Sequence, residues 1–115
     1  MKCLPPEAPA GVRASILEAL KEDAYFIYPD GRTYLERKEF VPEEVVLDVI
    51  GYLEDGCRLY QLFGSAIKDT KYQCCLRYDD ETVVHVKLKP TESADAFFVV
   101  IGFHSHNTGY PPLPC

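Results

Sequence analysis

Six residues in the last third of the chain could do chemistry together: Gln73, Arg77, His85, Lys87, Lys89 and His104. Two imidazoles that titrate near neutral pH can serve as proton acceptor and proton donor. Cleavage of RNA by its own 2′-hydroxyl needs such a pair. One group takes the 2′-OH proton and the other protonates the leaving 5′-oxygen, while cations stabilise charge gathering on the phosphorus oxygens. His85 and His104 are the candidate acid and base, in either order, and Lys87 is the candidate catalytic cation. Gln73, Arg77 and Lys89 would hold the nucleotide and its phosphates. This chemistry calls for no cofactor and no metal. Other readings stand beside it. His104-Ser105-His106 with Cys74, Cys75 or Cys115 offers nitrogen and sulfur ligands, but four ligands at the usual spacing are not evident. The same side chains would also suit the solvated face of an antiparallel sheet.

For these residues to meet, the chain must bring three strands side by side. Alternation predicts strands over Tyr72 to Tyr78, Val83 to Lys89 and Phe97 to His104, joined by Asp79-Asp80-Glu81 and by Pro90 to Asp95. Val84, Val86 and Leu88 form the apolar side of the middle strand, with Val83, His85, Lys87 and Lys89 on the other. A three-residue link at Asp79 to Glu81 sets Cys75 opposite His85 and Gln73 opposite Lys87, with Gln73, Cys75 and Arg77 facing outward. Phe98, Val100, Gly102 and His104 then share the face of His85, and Gly102 leaves a gap where a ligand backbone could approach.

Further elements precede these strands. Met1 to Gly11, with three prolines, reads as an extended or mobile leader. Val12 to Asp23 has helical spacing. Tyr25 to Tyr28 favours a strand, Pro29-Asp30-Gly31 a turn, and Arg32 to Glu36 a returning strand, which together make a short hairpin. Pro42 opens a helix with a Val45, Val46, Val49, Ile50, Leu53 stripe, and Gly56 stops it. Arg58 to Phe63 is another strand candidate, followed by a loop over Gly64 to Thr70. The prediction is an α+β domain spanning residues 1–115, with N-terminal helices packed on a mainly antiparallel sheet of about four strands and a proline-rich tail over 107–115.

Composition narrows the function classes. The 115 residues are 47% hydrophobic, enough for one core. The longest apolar run is Ala96 to Ile101, far short of a membrane span, and the N-terminus lacks the apolar stretch of a secretory signal. A soluble cytoplasmic protein is expected, with no membrane partner. The net charge of −6 argues against a general nucleic-acid binder, and DNA is not expected as a direct partner. Yet Lys68 to Lys89 carries five Lys or Arg against four acids, three of them clustered in the Asp79 to Glu81 link. The strands themselves are therefore locally basic, and local field decides what a cleft attracts. Five cysteines without a CxxC pair read as buried reduced thiols.

The order of segments after Val46 carries a resemblance. A helix is followed by GCRLYQLF, KYQCCLRY, TVVHVKLKP and FFVVIGFHSH. This resembles the MqsR-type toxins of bacterial toxin–antitoxin systems, within the barnase–EndoU–colicin–RelE group of small ribonucleases. Tyr72-Gln73 matches the family's aromatic-Gln pair, Val84-His85-Val86-Lys87 its Val-Tyr-x-Lys strand with His for Tyr, and Gly102-Phe103-His104 its closing strand with His for Lys. Gln61 stands where the family has a Lys. The resemblance implies a messenger-RNA substrate in the cytoplasm and an antitoxin protein that covers the site. The alternative function is a non-catalytic interaction module that uses the sheet face or the proline-rich tail.

Overall fold

A computed structural model describes residues 6–62, 70–93 and 96–104. In it, α1 spans Ala10–Lys21, β1 Tyr25–Ile27, α2 Pro29–Arg37, α3 Pro42–Glu54, β2 Tyr60–Leu62, β3 Lys71–Arg77, β4 Val83–Ser93 and β5 Ala96–His104. The class is α+β as predicted, but the sheet has five strands rather than four, in the order β1-β5-β4-β3-β2. Four of them form an antiparallel meander, and β1 adds in parallel to β5.

That fifth strand comes with a correction. The predicted hairpin over Tyr25 to Glu36 does not form, because Pro29 to Arg37 is helical. Pro29 sits at the start of the helix, where its fixed φ helps and its missing N–H costs nothing, and Asp30 suits the positive end of the dipole. Gly31 and Leu35, four residues apart, are the buried pair of this helix. The chain end thus freed lies along β5, where Tyr28 N–H donates to the Ile101 carbonyl at 2.8 Å.

Helices α1, α2 and α3 pack on one face of the sheet. Ile16 and Leu20 of α1, Leu35 of α2, and Val45, Val46, Val49 and Leu53 of α3 meet Cys74, Leu76, Val84, Val86, Leu88, Val99, Ile101 and Phe103 in one core. Each fully buried aliphatic side chain there contributes about 1.5–3 kcal/mol. Gly56 has φ +81° and ends α3, a conformation that favours glycine. Gly31 sets the distance of α2 from the sheet: a Cβ there would lie 2.6 Å from the Phe103 backbone nitrogen.

Two further differences concern connections. Pro90 to Asp95 is not simply a link, since β4 continues to Ser93 and Pro90 pairs with Val99. Val99 gives its N–H to the Ala24 carbonyl on the β1 side, so Pro90 and Val99 form a non-hydrogen-bonded pair. The missing donor of Pro90 therefore faces the β3 side, beyond the last paired residues Tyr72 and Leu88. Of the predicted leader, residues 6–9 are described outside the helix: Glu7 bridges Tyr60 and Gln61 N–H donates to the Pro6 carbonyl at 2.7 Å. Helix α1 accordingly begins at Ala10 rather than Val12. The proline-rich tail, and the predicted Gly64 to Thr70 loop up to Asp69, lie outside the described residues.

The link between β3 and β4 sets the register of these two strands across the candidate site. Asp79 Oδ1 accepts the Glu81 N–H at 2.8 Å and the Thr82 N–H at 2.7 Å. These bonds hold the Asp79 carboxyl below its ordinary value, with the Glu81 N–H the larger cause. A depressed folded pKa adds stability above the unfolded value of about 3.9, which is lost as pH falls through the folded value. Asp79→Ala should therefore lower the Tm at neutral pH, and its deficit should shrink in melts taken at progressively more acid pH. A deficit independent of pH would show that the carboxylate charge is not what closes the turn.

Candidate functional site

The opposite face of the sheet holds every predicted site residue. Register places Cys75 opposite His85 and His85 opposite His104, so one row crosses β3, β4 and β5. The next row is Tyr60, Gln73, Lys87 and Gly102, and the row beyond includes Lys89, Val100 and Phe26. Alternation explains the arrangement, because paired residues in adjacent strands point to the same face. Arg77 pairs with Val83 at the other end of β3. It lies on the far side of the histidines from the lysines, so the six residues share a face without forming a single cluster.

The two histidines are together. Their ring centroids are 5.8 Å apart with planes inclined by 20°. The expectation of an outward, solvated His85 and Gln73 is not met: each is only 4% exposed. Buried polar side chains need partners, and these two supply one another, with Gln73 Nε2 3.2 Å from His85 Nδ1. The pair can bond in either sense: Nδ1 accepts from the amide nitrogen when the ring proton is on Nε2, and donates to the amide oxygen when Nδ1 carries a proton. His104, at the end of β5, is half-buried and more accessible than His85.

Beside this pair lies a concavity of about 410 Å³ lined by Tyr28, Lys71, Lys87, Lys89, Thr91, Val100 and Gly102. Gly102 forms part of its floor, and a Cβ added there would approach only the Lys87 Cβ, at 3.9 Å. Burial first, and then the neighbouring Lys71 charge, hold the Lys87 ammonium below its ordinary value. Such crowded cations favour a bound anion, which would relieve both effects. Among the described strand residues the only carboxylate is Glu92, and it lines a cavity with Ser15, Tyr72 and Phe97 on the helix side. The local basicity inferred from Lys68 to Lys89 thus becomes a cationic face on a chain of net charge −6.

Lys71 and Tyr28 were not singled out from sequence. The alternation that marks Gln73, Cys75 and Arg77 reaches Lys71 two residues earlier, so that signal was present. Tyr28 had none, because its position depends on β1 joining β5. Gln61 pairs with Tyr72 and belongs to the helix-side face. Lys71 provides a cation on the site face.

The cysteine reading needs one correction. Cys57 and Cys74 are free thiols, and burial pushes the Cys74 thiol up to about 12, which keeps it protonated and unreactive. Cys75, buried on the site face, is disulfide-bonded rather than reduced. Composition cannot pair cysteines, whereas the fold can. Of the alternative metal ligands, His106 and Cys115 lie outside the described residues. No helix among the described residues is long and apolar enough to cross a membrane.

Comparison with known protein families, with curated proteins and with solved structures finds no match.

Proposed function

We propose that this domain is a metal-independent endoribonuclease of the toxin type, held in check by an antitoxin protein and acting on messenger RNA in the cytoplasm. The observation that carries the reading is the juxtaposition of stacked His85 and His104 with the lysine cleft on one face. In this reading Lys71, Lys87 and Lys89 bind phosphates, and Arg77 approaches from the other side of the histidines. His104 meets the substrate and accepts the 2′-OH proton. His85 is the donor in its imidazolium form, which carries a proton on both ring nitrogens, and Gln73 then accepts from Nδ1 through its amide oxygen. An antitoxin would act by covering the cationic face.

The burial of His85 favours a second reading, in which the face binds RNA or another polyanion without cutting it. One experiment separates the two. Purified protein is incubated with RNA in EDTA and the product ends are analysed. Cleavage that survives EDTA and leaves 2′,3′-cyclic phosphate is the expected result. Retardation of RNA without products would leave the binding reading in place and remove the enzyme. Loss of cleavage in EDTA with rescue by zinc or magnesium would instead establish metal-dependent chemistry.

A further inference from the structure

The cationic face ends in two exposed aromatic side chains that the core does not explain. Phe26 is 54% exposed and Tyr28 53% exposed, while Tyr25 and Ile27 turn inward to the helix-side core. Phe26 pairs with Val100, which pairs in turn with Lys89, so aromatic and cation share one row across three strands. At the usual strand spacing, Phe26 and Lys89 backbones lie about 10 Å apart. Tyr28 is closer still, because it lines the same concavity as Lys71, Lys87 and Lys89. Strand β1 is at the sheet edge, so both rings stand at an open margin.

Aromatic rings beside a lysine groove match what single-stranded nucleic acid requires. Phosphates lie on the cations while successive unpaired bases stack on the rings. A duplex hides its base faces and cannot use the rings. We propose that Phe26 and Tyr28 form a base-stacking platform continuous with the lysine cleft, so that this face takes single-stranded RNA in preference to duplex RNA. This rests on reading the face as an RNA site, and it adds which form of RNA is bound and which residues choose it. The platform lies beyond Gly102 from the histidines, so it holds a nucleotide next to the cleaved bond rather than the reacting atoms.

The test uses the full chain and a fluorescein-labelled 2′-O-methyl RNA, which cannot attack its own phosphate, alone and annealed to its complement. Fluorescence anisotropy is read across a salt series. The wild type should bind the single strand more tightly than the duplex. Phe26→Ala with Tyr28→Ala should weaken single-strand binding about tenfold or more, with an unchanged salt slope. Tyr28→Trp should retain wild-type affinity. Lys71→Ala with Lys89→Ala should weaken both forms and flatten the salt slope. Both aromatic positions are half-exposed, and circular dichroism melts verify that each variant is folded. A folded aromatic double variant that binds the single strand like the wild type overturns the platform, as does equal wild-type affinity for duplex. Ring-dependent binding without cleavage of ordinary RNA would overturn only the nuclease reading. Cleavage with ring-independent binding would overturn only the platform.

Discussion

Replacing His104 with alanine should reduce RNA cleavage by about 10²–10⁴-fold, the usual cost of losing a positioned acid or base, while the Tm changes little. His104 sits half-buried at the end of β5 with its ring stacked on His85, so its removal exposes no large core surface. His85→Ala should behave differently. It should lose cleavage too, but it also empties a buried site and leaves the Gln73 amide without its His85 ring partner. An unsatisfied buried amide costs about 1–3 kcal/mol, so His85→Ala should melt earlier than His104→Ala. Initial cleavage rates and thermal melts of the two variants provide the comparison. Near-wild-type cleavage by folded His104→Ala would remove that residue from the mechanism.

Gly31→Ala should destabilise the domain far more than its single added methyl suggests. The new Cβ would stand 2.6 Å from the Phe103 nitrogen and 3.3 Å from its carbonyl oxygen, both backbone atoms that no rotamer change can move. Helix α2 must then lift from β5 or the strand must shift. Overpacking of this kind costs about 1–3 kcal/mol, which lowers the Tm by roughly 5–15 °C. Phe103 lies between Gly102 and His104, so any shift of β5 displaces the cleft floor and a candidate catalytic group together. Cleavage should fall at temperatures where the variant is still folded. A Tm equal to wild type would mean that α2 seats differently against the sheet.

Much of the strand register at the candidate site is legible in the chain itself. The three-residue link at Asp79 to Glu81, combined with apolar alternation at Val84, Val86 and Leu88, set Cys75 opposite His85 and Gln73 opposite Lys87, and both pairings are present. These are local quantities: a period of two and a turn length together determine register. The same holds for α1 and α3, whose apolar stripes and terminal Pro42 and Gly56 mark them directly.

Other features depended on contacts between segments far apart in sequence. Tyr25 to Ile27 becomes a parallel edge strand only because β5 offers a free side, and Pro29 to Arg37 becomes a helix because Gly31 and Leu35 can seat on that strand and core. An aromatic run followed by Pro-Asp-Gly is locally compatible with a hairpin, so local preference could not decide between them. Alternation assigned Gln73 and His85 to a face but could not give their burial, since exposure depends on what lies above a face. The bond that makes burial tolerable joins residues 12 apart. Lys71, Lys87 and Lys89 likewise converge with Tyr28 across strands from both ends of the chain. Alternation along each strand suffices to say which residues share a face. How deeply they lie and which of them meet follow from long-range packing, which no local pattern encodes.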